Sequence, residues 1–185
     1  IEAANKAIKK AGVDPSTLDI KELKSDAIEL NQKADIVVVG SGGAGLSSAI
    51  KAASKGKSVI ILEKAGNTGG NTNRATGGMN AAETEFQKKA GIKDTVSQYI
   101  EDTMKGGHNS NNPELVKKMA EESDDAIEWL ESIGAPLSNV GLAGGATNPR
   151  CHRPIDDKGK IISVGTFLVE KLTKKALDIG VKIIY

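Results

Sequence analysis

The sequence predicts an α/β fold on a parallel sheet, and three features of residues 34–64 carry that expectation. A short β-branched run, Asp35–Val39, reads as a strand buried on both faces. A glycine-rich turn, Gly40-Ser41-Gly42-Gly43-Ala44-Gly45, then opens a helical pattern with Leu46, Ala49, Ile50 and Ala53 on one face. A second apolar run, Val59–Leu62, ends in an acid, Glu63. The helix is expected to run through Lys55, with Gly56 at its C′ position. Strand, G-x-G-x-x-G turn, helix, strand and acid at this spacing describe a βαβ dinucleotide-binding unit of the Rossmann-like kind.

Each part has a physical reason. Gly40 permits the tight turn out of the strand, Gly42 lets the backbone approach a pyrophosphate, and Gly45 lets the helix lie close to the sheet. The helix N-terminus offers unpaired N–H groups and the positive end of its dipole to phosphates. Glu63 lies where a carboxylate accepts hydrogen bonds from ribose hydroxyls, and an acid there disfavours the 2′-phosphate of NADP.

Composition bounds the rest. At 185 residues, 38% hydrophobic and 26% charged, the chain suits one domain, or one and part of another. The net charge of +1, with cations scattered among acids, gives no basis for nucleic-acid binding or for an anionic membrane surface. No apolar run approaches the roughly 20 residues of a membrane span. The five aromatic residues are too few for base-stacking platforms, and Cys151, being single, excludes an internal disulfide. Two separated histidines, His108 and His152, with one cysteine do not make a metal site. Nor are Cys151 and His152 a nucleophile pair, because sequence adjacency does not set an imidazole against its neighbour's sulfur.

Along the chain, Ile1–Ala11 has helical spacing and stops at Gly12, and the charged Lys21–Lys24 segment reads as a solvated face. Residues 1–33 are therefore expected to be a linker, or the tail of a preceding domain, and residues 34–185 the N-terminal part of a nucleotide-binding domain. After Glu63 the chain enters a Gly-, Asn- and Thr-rich stretch to Asn80, the composition of a loop wrapped around a polar ligand. A helix is expected over Thr95–Lys105. Asn112 as N-cap and Pro113 at N1 open a longer one, carrying Leu115, Met119, Ala126, Ile127, Leu130 and Ile133 to Gly134. Trp129 on it reads as packing. Residues 135–162 are expected to be irregular, Val164–Ile179 helical, and Val181–Tyr185 the third parallel strand, so that a helical insertion separates the second and third strands. Arg150, His152 and Arg153 form a cationic cluster with two readings, contact with a carboxylate or phosphate of a ligand, and a structural loop tied by arginine hydrogen bonds.

VVVGSGGAGLSSAI, IILEK, GGNTNRATGGMNAA, EDTMKGG and CHRP, in that order, resemble the FAD-binding domain of soluble fumarate reductases, a family that includes flavocytochrome c fumarate reductases and urocanate reductases. The resemblance runs from about Ala34 to Tyr185. It implies FAD as the dinucleotide, held by Gly40, Gly42, Gly43, Ala44, Gly45, Glu63, Lys64, Gly70, Asn71, Thr72, Gly77 and Gly78, with Gly78 also bordering substrate. It implies reduction of a double bond beside a carboxylate, with the proton supplied by an arginine that the family carries later in the chain, beyond Tyr185. Other FAD oxidoreductases of the same domain type, such as oxosteroid dehydrogenases or amino-acid oxidases, remain an alternative, as does a nucleotide-binding piece without activity of its own.

Relatives take electrons from haem or FMN on an upstream domain, and the resemblance suggests a periplasmic or cell-envelope location. The three strands leave an open edge, so residues 1–185 by themselves are expected to be inactive and poorly soluble. Succinate dehydrogenase flavoproteins attach FAD through a histidine at the position that Asn71 occupies here. An amide cannot form that link, so acid or heat denaturation should release the flavin. Fluorescence that stays with the denatured polypeptide on a gel would contradict this.

Overall fold

The computed structural model describes residues 6, 9–12, 14 and 32–185. The chain forms two compact units, Ile1–Lys33 and Ala34–Tyr185. In the first, Lys6, Lys9 and Lys10 are helical and Gly12 follows with φ +82°. The remainder of the expected Ile1–Ala11 helix and the Lys21–Lys24 segment lie outside the described residues.

The second unit is built on a parallel sheet in the order β1-β2-β6, comprising β1 (Ile36–Val39), β2 (Val59–Leu62) and β6 (Lys182–Ile184). The register runs from Ile36↔Val59 to Val39↔Leu62 and from Ile60↔Lys182 to Leu62↔Ile184. Helix α1 (Gly43–Ala53) makes the crossover from β1 to β2. It packs Leu46, Ala49 and Ile50 into a core shared with Val59 and Ile61 of β2 and with Val169, Leu172 and Ala176 of α6 (Val164–Asp178). Close packing at the start of α1 depends on Gly45, where an added Cβ would lie 1.9 Å from the Gly40 carbonyl oxygen. No side chain fits there.

The expectation of a first strand buried on both faces is corrected. Val37 is 54% and Val39 85% exposed, whereas Val59, Ile60 and Ile61 are buried. Strand β1 lies at the sheet edge and β2 at its centre. An apolar run has the same composition in either place, so periodicity could not separate them.

Between β2 and α6 lies the insertion. A 3-10 helix (Gly70–Arg74) leads to β3 (Met79–Asn80), and then come α2 (Glu85–Lys89) and α3 (Val96–Gly106). Next are α4 (Pro113–Glu121), α5 (Ser123–Ser132), β4 (Asn139–Gly141) and β5 (Cys151–Arg153). Asn112 caps α4 through the Leu115 N–H at 3.2 Å, with Pro113 in the first turn, as the sequence implied.

The single helix expected to Ile133 is instead two. Ser123 Oγ donates to the Ala120 carbonyl at 2.8 Å and accepts from the Ala82 N–H at 3.1 Å, so the side chain competes with the helical ladder and the axis breaks at Glu122. Residues 135–162, expected to be irregular, contribute β4 and β5, which pair antiparallel with β3 in the order β3-β5-β4. Strands this short carry too little periodicity to be seen in advance.

Candidate functional site

The functional edge starts from the pairing of β1 with β2. Because Val39 lies opposite Leu62, the turn after β1 emerges beside Glu63. Glu63 Oε2 accepts from the Ser41 N–H at 2.8 Å and from Ser41 Oγ at 2.5 Å, and Oε1 accepts from the Ala65 N–H at 2.9 Å. These bonds, the Ser41 hydroxyl first among them, hold the carboxyl down to about 2, so it is ionised across the physiological range. A carboxylate has about four lone-pair sites, and Oε1 therefore keeps one for an incoming hydroxyl. Ser41, fully buried, was missed by the sequence reading, although the parallel register of two strands ending at Gly40 and Glu63 is a signal that could have found it.

The glycine-rich turn and the GGNT block come together. Gly42 bridges Gly69, the Gly69 N–H donates to the Ser41 carbonyl at 2.9 Å, and the Gly43 N–H donates to Thr72 Oγ1 at 3.0 Å. The first intrahelical bond at this end runs from the Leu46 N–H to the Gly42 carbonyl. The N–H groups of Ala44 and Gly45 are thus left by geometry without an intrahelical acceptor, at the positive end of the helix. Gly42 meets nothing closer than 3.8 Å around an added Cβ, so the chain itself does not demand glycine there, whereas a close pyrophosphate would.

Gly40 with φ +92° and Gly70 with φ +49° turn the chain on either side of this seat, and Lys64 and Asn71 are exposed at its rim. Gly77 and Gly78 run into β3 beside β5. There a Cβ on Gly78 would lie 2.4 Å from Cys151 Sγ and 2.7 Å from the His152 carbonyl oxygen. Trp129 packs at the core boundary with Lys51 Nζ 5.4 Å from its ring centroid. Gly43, Thr72, Met79 and Trp129 line a cleft of about 490 Å³ that opens from the first turn of α1.

The cationic cluster divides. Arg150 is fully buried, with Nε and Nη2 on the two carboxylate oxygens of Asp94 at 2.9 and 2.8 Å and Nη2 also 3.0 Å from Asp102. Its guanidinium carbon lies 5.0 Å from the Tyr99 ring centroid. His152 is likewise buried. Nδ1–H donates to the Arg150 carbonyl at 2.8 Å, and Nε2 accepts from Thr84 Oγ1 at 2.8 Å. Burial pushes the imidazole below its ordinary value and keeps it neutral.

Thr84 is also the N-cap of α2 in a reciprocal capping box with Gln87, whose amide donates to the Pro149 carbonyl at 2.8 Å. Of the two readings of the cluster, Arg150 and His152 therefore take the structural one. A group with no exposed surface and its donors occupied has nothing to present to a ligand. Arg153 remains half-exposed. No group of three or more metal-ligating side chains occurs among the described residues.

The seat thus offers free helix-terminal amides, an ionised carboxylate about one βαβ unit away, and a glycine-lined approach, which is the donor set a dinucleotide requires. Residues 35–184 match the FAD binding domain family. The chain belongs to the FAD binding domain family. It is 44% identical over 182 residues to the NADH:fumarate oxidoreductase of Klebsiella pneumoniae, covering 96% of this chain and 19% of that protein. It is 44% identical over 101 residues to the urocanate reductase of Eggerthella lenta, covering 55% of this chain and 17% of that protein.

Among solved structures, the open conformation of a flavocytochrome c3 fumarate reductase superposes with a TM-score of 0.76 at 41% identity, over 81% of this chain and 26% of that one. A 3-ketosteroid-Δ4-(5α)-dehydrogenase from Rhodococcus jostii gives 0.73 at 26% identity, over 88% and 39%. The chain spans about a fifth of the length of these two sequence relatives. Within the FAD-binding domain, the groups whose chemistry suits the cofactor are the amides of Ala44 and Gly45 and the Glu63 carboxylate, whereas the Thr72 backbone is already bonded to Gly69 and Ala75.

Two outcomes follow from this geometry. Asp94→Ala should leave the Arg150 charge buried with one partner lost, lowering the unfolding free energy by about 3 kcal/mol or more in urea denaturation. An unchanged midpoint would show that the ion pair does not hold the insertion. Glu63→Ala should weaken FAD affinity roughly tenfold to a hundredfold, read by flavin fluorescence titration, with the far-UV spectrum retained. Unchanged affinity would remove Glu63 from the ribose.

Proposed function

We propose that this chain is the nucleotide-binding portion of an FAD-dependent reductase of an α,β-unsaturated carboxylate, with fumarate or urocanate as substrate. The observation that carries the reading is the identity of 44% to both a fumarate-named relative, over 182 residues, and a urocanate-named one, over 101 residues. The oxosteroid alternative is not favoured, since the identity to the ketosteroid dehydrogenase is 26%.

FAD, when bound, supplies the hydride for the double bond. The chain's own contribution is binding and orientation. The Ala44 and Gly45 amides take the pyrophosphate, and Glu63 fixes the ribose while its bonds to Ser41 keep the turn closed. Gly78 lacks a side chain because β5 leaves no room for one, and what it offers to the ring system and to the substrate beside it is its backbone. The substrate side chain, the proton donor and the electron donor belong to the whole protein. Haem or FMN on an upstream domain, joined through residues 1–33, and a periplasmic or cell-envelope setting complete the same proposal.

The test is anaerobic reduction of fumarate and of urocanate by the full-length protein with reduced methyl viologen as electron source. FAD-dependent turnover of at least one acid is expected. Failure to reduce either, with FAD bound, would overturn the reading.

A further inference from the structure

The small sheet β3-β5-β4 has two unlike faces. Alternation along β5 sends His152 to one side and Cys151 and Arg153 to the other. The His152 face is the one closed by Thr84. On the opposite face Arg153 stands in register with Asn139 and Cys151 with Gly141. Arg153 lies down along this face. An added Cβ on Gly78 would come 2.9 Å from its Cγ, and one on Gly141 would come 1.6 Å from its Nη2. Gly78, just before β3, and Gly141 on β4 therefore clear the path that the side chain follows.

The guanidinium so placed is unpaired. Its Nε is buried without an acceptor, and among the described residues the Arg153 side chain makes no hydrogen bond or ion pair. Arg150, three residues earlier, shows how this fold treats a structural arginine, with two carboxylates and no exposure. Holding a half-buried guanidinium in a fixed lane without a counter-ion costs desolvation that an anionic ligand would offset.

We propose that Arg153 is the cation this domain contributes to its bound ligands, taking an oxyanion of a molecule seated on the Gly77-Gly78 segment. The shared chemistry is an oxygen anion presented to a guanidinium. Its two possible sources are a carboxylate of the unsaturated acid and a phosphate of the cofactor. The carboxylate source rests on the function proposed above and the phosphate source does not. Gly141 is the corresponding positioning residue, since a methyl group there would push Nη2 off that face without removing the charge.

The experiment uses the full-length protein with Arg153→Gln, Arg153→Lys and Gly141→Ala, and two titrations. One is FAD against the flavin-free protein, and the other is succinate against the FAD-loaded protein, followed by the flavin absorbance shift. The expected result is a loss of about tenfold or more in one of the two affinities for Arg153→Gln, partial recovery with lysine, and a matching loss with Gly141→Ala. Melting temperatures should stay near that of the unsubstituted protein. A loss confined to succinate assigns the carboxylate, and a loss in FAD affinity assigns the phosphate. Unchanged affinities in both titrations would overturn the proposal. If the unsubstituted protein binds no succinate, fumarate or urocanate, the substrate reading fails, and the FAD titration alone then decides the role of Arg153.

Discussion

Pairing of β1 with β2, fastened at both ends by a carboxylate and a serine, is the constraint on which the functional edge depends. At one end Asp35 Oδ2 accepts from the N–H and the hydroxyl of Ser58, each at 2.8 Å. At the other, Glu63 Oε2 does the same for Ser41. The sense is reversed, since the acid sits just before β1 at the first end and just after β2 at the second. A register slip by one residue would break both fastenings and exchange the side chains that β2 presents to its two buried faces. With the register fixed, Gly40 turns the chain, Gly42 meets Gly69, and Thr72 reaches the first turn of α1. Glu63 is thus held in place by the turn beside it.

The insertion is organised around a different physical demand, the burial of charge. Arg150 has no exposure and is balanced by Asp94 and Asp102, and Gln87 links Asp94 to the Pro149 carbonyl. His152 ties the same strand to the cap of α2. Such a network is expensive to break, because removing one member leaves the others desolvated and unpaired. It gives β5 a rigid back, and the Gly77-Gly78 backbone rests against the front of that strand. The two arginines of the CHRP region therefore differ in kind. Arg150 is structural, and Arg153 is the one left facing outward.

Where the sequence was readable, it was readable for a local reason. The βαβ unit, the caps at Asn112 and Pro113, and the helix of Val164–Asp178 all follow from spacing and terminal residues, which act within a few positions. The glycine turn and Glu63 were legible because their chemistry is tied to one spacing. What was not legible is set by partners far along the chain. The edge position of β1, the break at Ser123 caused by Ala82, and the pairing of β3 with β5 are separated by tens of residues and leave no local periodicity. The roles of Arg150 and Arg153 differ only through Asp94, Asp102, Gly78 and Gly141, so no reading of residues 150–153 alone could part them. The Thr84–Gln87 capping box was available in the sequence as T-x-x-Q and marks α2.

The central claim is that the end of the β1–β2 pair is a ready-made FAD seat, with Glu63 serving the turn and the ribose at once. A crystal structure of the full-length protein with FAD tests it most directly. The account predicts a ribose hydroxyl within hydrogen-bond distance of Glu63 Oε1 while Oε2 stays on Ser41, and pyrophosphate oxygens on the Ala44 and Gly45 amides. A ribose bound elsewhere, or a Glu63 that must leave Ser41 to reach it, would contradict the account.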